Sequence, residues 1–201
     1  MSKICFLFLI SFSANAAVLI EPSLRWSNFS FQPIDQEDTI NYYGYGGEFG
    51  VGYSWSSVID TTIVAQYQPG KRDTAGFLSP HAVTQFFGLN IGLRFATILV
   101  VGLRAGYQAY HLSDQKFVTE IPGNWAGPAG GFSLGFVAAA DKESFLQISI
   151  DVTEGVLKNS QDTTLGNRRL DSFGVSATFV YNDPHGHKGS HHDGLFDQLK
   201  F

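Results

Sequence analysis

The sequence predicts an all-β chain, an eight-stranded antiparallel up-and-down transmembrane β-barrel. Three observations carry that expectation. Apolar and polar residues alternate with a period of two in eight separate runs, the signature of strands with unlike faces. The connections between runs alternate between tight and long. Only 15% of the 201 residues are charged while 44% are hydrophobic, against a charged share of about 25% in ordinary soluble domains.

The runs follow in order. The first, Ile20, Pro22, Leu24 and Trp26, opposes Glu21, Ser23, Arg25 and Ser27. The second is the clearest: Tyr43, Tyr45, Gly47, Phe49, Val51, Tyr53 and Trp55 alternate with Gly44, Gly46, Glu48, Gly50, Gly52 and Ser54. The third sets Ile59, Thr61, Ile63, Ala65 and Tyr67 against Asp60, Thr62, Val64, Gln66 and Gln68. In the fourth, Phe87, Leu89, Ile91, Leu93 and Phe95 oppose Phe86, Gly88, Asn90, Gly92 and Arg94. The fifth opposes Leu99, Val101, Leu103, Ala105 and Tyr107 to Gly102, Arg104, Gly106 and Gln108. The sixth is Phe132, Leu134 and Phe136 against Gly131, Ser133 and Gly135. The seventh is Leu146, Ile148, Ile150 and Val152 against Gln147, Ser149, Asp151 and Thr153. The eighth is Phe173, Val175, Ala177, Phe179 and Tyr181 against Ser172, Gly174, Ser176 and Thr178. Residues 56–57, 96–97 and 140–143 read as tight turns, and 30–41, 69–82, 112–126 and 156–169 as long polar loops. A barrel with short turns at one end and longer loops at the other has this rhythm, with both termini at the short-turn end.

Residues 1–16 read as a signal peptide: Lys3, an apolar stretch from Ile4 to Phe12, and a small-x-small site at Ala14-Asn15-Ala16. Removing Lys3 takes the basic residues from 13 to 12 against 18 acids, a net charge of −6. Cys5, the sole cysteine, leaves with the signal, so the mature chain is expected to hold no disulfide and no thiolate site. The pI near 5.6 argues against a nucleic-acid partner, which calls for a basic patch.

The polar face decides what the apolar face meets. Lys71, Lys116, Lys142, Lys158, Lys188 and Lys200 all fall in loops, turns or tail, and the polar face is mainly Gly, Ser, Thr, Asn and Gln. Such a face suits a narrow interior better than a water-facing surface. Two aromatic girdles flank the apolar band: Tyr53, Trp55, Phe95, Phe179 and Tyr181 toward the turns, and Trp26, Tyr43, Tyr45, Tyr67 and Tyr107 toward the loops. Amphipathic rings settle at membrane interfaces, and a tilted strand crosses with about 9–11 residues.

On these features residues 17–181 resemble the small eight-stranded outer-membrane barrels of Gram-negative bacteria, the OmpA-like and OmpX-like group. The resemblance implies an outer-membrane location, contact with outer-membrane lipid and lipopolysaccharide, and insertion by the barrel-assembly machinery through a terminal aromatic. Tyr181 and Phe201 both qualify, because a His-rich tail expected in the periplasm, residues 182–201, follows the last run.

Parity places seven charges inside: Glu21, Glu48, Asp60 and Asp151 with Arg25, Arg94 and Arg104. Isolated charges in a narrow lumen are costly, so cross-lumen pairs are expected. Eight strands enclose just enough room for side chains to fill. A plugged barrel with a structural or surface-interaction role is therefore the leading expectation; a narrow gated pore for ions or small solutes is the alternative. For catalysis, His111-x-Ser113 resembles the His-x-Ser pair of lipid A deacylases, an acyl hydrolase family, with Asp114 or Glu120 as possible orienters. The motif is incomplete, because Asp114 follows it and three runs remain downstream, so no enzyme and no cofactor are expected. In the tail, His185, His187, His191 and His192 are imidazoles of the kind metals bind, but their spacing fits no defined site, and no metal is expected. No surface partner can be named from the loops.

Overall fold

The computed structural model describes residues 17–33, 39–56, 58–72, 81–95, 98–112, 124–140, 144–160 and 162–183. These form eight strands: β1 (Ala17–Pro33), β2 (Ile40–Ser54), β3 (Ile59–Arg72), β4 (His81–Phe95), β5 (Leu99–Leu112), β6 (Asn124–Ala140), β7 (Ser144–Asn159) and β8 (Arg168–Asp183). Each pairs antiparallel with the next, and β1 pairs with β8, closing the barrel and leaving no edge. One 3-10 turn, Thr163–Leu165, sits between β7 and β8. The paired ends Ala17↔Ser54 and Val18↔Asp183 put the start of β1 and the end of β8 at the short-connection end.

The strands run further toward the loops than the alternation predicts. Residues 30–33, 40–41, 69–72, 81–82, 124–126, 156–159 and 168–169, expected as loop, are strand. The reason is an inversion of pattern. Low on β1 the apolar residues Ile20, Leu24 and Trp26 face out; higher up, the buried Phe29 and Phe31 face in. The same change occurs elsewhere. Tyr42, Tyr110, Leu112, Trp125, Leu157 and Leu170 are all buried within the barrel. Their outward neighbours are Asn41, Lys71, His81, His111, Asn124, Lys158 and Asp171. The lower part of each strand is thus apolar outside and polar inside, while the upper part has the apolar-inside pattern of a barrel standing in water. The backbone continues unchanged, but the periodicity reverses phase and reads as the end of a strand.

Three prolines interrupt the closed ladder. Pairing of β2 with β3 skips from Tyr43↔Lys71 to Gly47↔Tyr67, around Pro69. Pairing of β1 with β8 skips from Ile20↔Tyr181 to Ser23↔Thr178, around Pro22. Pairing of β6 with β7 skips from Ala126↔Lys158 to Ala129↔Gly155, around Pro128. Each proline keeps its place on the other neighbour, as in Pro69↔Val83 and Pro128↔Tyr107. Proline has no N–H, and a closed barrel offers no edge strand to hold it, so one ladder must open locally.

Candidate functional site: the lumen and the outer wall

The lumen is layered. Nearest the turns, Leu19, Phe145 and Val180 form a small apolar cluster. Above it Arg94 pairs with Asp60 at 2.6 Å, and its guanidinium lies 4.5 Å from the Phe145 ring centre. At mid-height Arg25 pairs with Asp151, while Arg104 meets Glu48 through two contacts of 3.0 and 3.3 Å. Gln66 Oε1 accepts from both arginines at 3.4 Å and ties the two pairs together. Arg25 also donates to Ser172 Oγ at 3.1 Å. Arg25 and Asp151 are each 2% exposed.

Arg25 fits because Gly174 on the adjoining strand β8 carries no side chain. A Cβ on Gly174 would lie 2.6 Å from Arg25 Nε and 2.7 Å from its Cζ. The guanidinium thus occupies the space a larger residue would fill. Among the described residues Glu21 is the one interior acid outside the three ion pairs; it stands beside Gly50 and Thr62. It also lines a cavity of about 40 Å³ with Glu48, Asp60, Arg94 and Arg104. That volume has room for a few waters and no more.

An aromatic stopper covers the loop end of the lumen; two of its rings, Phe31 and Trp125, fall in segments expected as loops. Phe31 stacks on Tyr110 at 4.3 Å and meets Trp125 edge-on at 5.4 Å, and Phe29 stacks on Tyr42 at 5.1 Å. Tyr110 donates its hydroxyl hydrogen to Tyr42 at 2.9 Å, joining the two stacks. Arg168 reaches over Trp125 at 5.4 Å. The signal for this layer was present in Phe29-x-Phe31 and Tyr110-x-Leu112, which keep the period of two after the outward face has turned polar.

On the outer wall, Leu24, Phe49, Ile63, Leu89, Leu103, Leu134 and Ile150 are exposed. Tyr43, Tyr45, Trp26, Tyr67 and Tyr107 project outward toward the loops, with Tyr53, Phe95 and Phe179 outward toward the turns. Trp55 lies just beyond β2, where its indole N–H donates to Thr61 Oγ1 at 3.0 Å. Tyr181 is partly buried, and β8 runs on past it to Asp183.

His111 is also on the outer wall, at the loop end of β5. Its Nδ1 lies 2.5 Å from Asn124 Oδ1. It opens onto a groove of about 420 Å³ with Tyr67, Gln85 and Ser160. A partner on Nδ1 is the arrangement that orients an imidazole. That partner is Asn124, a residue the sequence reading did not consider. Ser113, Asp114 and Glu120 lie outside the described residues, as do His185, His187, His191, His192 and Phe201. Among the described residues no group of three or more His, Cys, Asp or Glu is placed to hold a metal.

No protein-family model and no curated protein matches the sequence. Solved structures do match. Neisserial surface protein A superposes with a TM-score of 0.55 at 10% identity, over 84% of this chain and 99% of that one. Ail, the attachment invasion locus protein of Yersinia pestis, gives 0.49 at 10% identity, over 81% and 98%. The outer membrane protein OprG from Pseudomonas aeruginosa gives 0.45 at 10% identity, over 85% and 96%. The likeness is one of fold: the chain has the closed eight-stranded architecture of the small outer-membrane barrels.

Proposed function

We propose that this protein is an integral outer-membrane barrel with a structural or surface-interaction role, closed along its axis by side chains and without catalysis. The observation that carries the reading is the exposed outer band of Leu, Ile, Val and Phe bounded by aromatic rings on a barrel with a polar, ion-paired interior. From Tyr43 to Tyr53 the strand advances about 33 Å, which at the usual barrel tilt is about 25 Å of height, that of an outer-membrane apolar band. The partners this reading implies are outer-membrane lipid, lipopolysaccharide at the loop end, and the barrel-assembly machinery at the β8 terminus. Fractionation and gel migration of boiled against unboiled protein test it. A heat-dependent shift in the outer-membrane fraction supports the reading; unshifted protein in the soluble periplasm overturns it.

Closure of the lumen rests on two apolar layers, at the turn end and the loop end, with a small cavity between them. Planar-bilayer recordings are expected to give no steady conductance. Discrete steps altered by Arg104→Ala would favour the gated pore. An acyl hydrolase reading rests on the His111–Asn124 contact. Mass spectrometry of lipid A from cells carrying the protein or its His111→Ala variant is expected to give identical acylation, and a difference would establish the enzyme.

A further inference from the structure

The gap that Pro69 opens between β2 and β3 has a consequence on the outer wall. Directly over it lies a groove of about 450 Å³, walled by Trp26, Tyr43, Tyr45, Pro69 and Val83, with Lys71 and His81 at its upper rim. Tyr43, Lys71 and His81 are consecutive partners across three strands, so their side chains form one outward row at the level of the loop-side girdle. Below that row Tyr45, Pro69 and Val83 continue the groove into the apolar band. The groove therefore carries the Lys71 ammonium, flanked by Tyr43 and His81, at headgroup height and is apolar beneath it.

The opposite side of the wall differs. There Arg169 is held by both Glu154, at 3.2 Å, and Asp171, at 2.8 Å, so its charge is already met by acids of the chain. Among the described residues none of the ion pairs engages Lys71. On a chain with a net charge of −5, this rim is a local site for an anion.

Resting on the membrane reading above, we propose that the groove seats one phosphate-bearing membrane lipid, its phosphate on Lys71 and His81 and an acyl chain along Tyr45, Pro69 and Val83. The membrane supplies both halves of this ligand together, an anionic headgroup at the interface and a chain below it. No protein partner of the loops would reach into the apolar part.

Native mass spectrometry of the folded full chain in nonionic detergent tests the proposal, with dioleoyl phosphatidic acid and dioleoyl glycerol as probes and inorganic phosphate as competitor. One phosphatidic acid is expected to be retained. The Lys71→Gln/His81→Gln variant is expected to retain about fivefold less, the effect of removing the Lys71 charge. Dioleoyl glycerol is expected to bind no better to the native chain than to the variant. Equal retention of the two lipids, or no effect of the double variant, would overturn the proposal. Full displacement by millimolar phosphate would also overturn it, reassigning the rim to a free anion. Heat-dependent gel migration of each sample separates two failures. A folded, shifting barrel without lipid selectivity overturns the groove alone, while failure of the native chain to fold in detergent overturns the membrane reading together with it.

Discussion

Arg25 shows how single residues set the interior. Its guanidinium is buried against Asp151 and Ser172 and occupies the space left by Gly174. Arg25→Ala leaves the Asp151 carboxylate buried without its cation, and a cost of about 3–5 kcal/mol is expected. Gly174→Ala pushes the guanidinium aside while keeping the charge, and should cost about 1–3 kcal/mol. Equilibrium unfolding of the two variants in lipid vesicles checks both, and the order Arg25→Ala worse than Gly174→Ala is the informative part. Outside the membrane band, Asp162 accepts from the Thr164 amide at 2.9 Å and from its hydroxyl at 2.6 Å. These bonds hold its carboxyl below the usual value. A depressed folded value means that the stabilisation is present above the unfolded pKa and lost as pH falls through the folded one. The Thr164 amide resonance should therefore titrate with a midpoint below that of free aspartate, about 3.9. A midpoint at or above it would remove the cap from the account.

At the scale of the strand, what the sequence makes legible depends on which solvent each segment meets. The lower segments were readable because their outward face is apolar and their inward face polar, and on the proposed reading lipid and a narrow lumen impose that opposite chemistry on alternate residues. Tyr43 to Trp55 is the clearest case. The upper segments were hidden because the outward face turns polar and the inward face apolar there, and the alternation changes phase between Trp26 and Phe29. Asn124 was missed because β6 starts seven residues before the first position the alternation marked, Gly131, on a stretch containing Gly127, Pro128, Gly130 and Gly131. Gly and Pro there weaken the strand signal. Parity across each strand was legible, whereas the ladder gaps follow only from knowing which neighbour each proline faces. Native-state hydrogen exchange tests the gap at Pro69. The amides of Gly44, Tyr45 and Gly46 should exchange faster than those of Val51 and Tyr53, and Pro69→Val should slow them by restoring a donor to the ladder. Uniform protection along β2 would contradict the gap.

Over the whole molecule, the low charged fraction has a place in space. The outward positions of the apolar band carry almost none of the charge. Each of the three interior arginines pairs with an acid, leaving Glu21 outside the pairs, and the lysines and histidines of the wall stand where the outward face turns polar. The central claim is that this outward band meets lipid. Spin labels at single cysteines, introduced after Cys5→Ser, test it by comparing collision with oxygen, which concentrates in hydrocarbon, and with a water-soluble nickel chelate. In vesicles, labels at Leu103 and Leu134 should meet oxygen freely and the chelate hardly at all, and a label at His111 should meet the chelate. Chelate access at Leu103 and Leu134 equal to that at His111 would contradict the account, for the band would then face water.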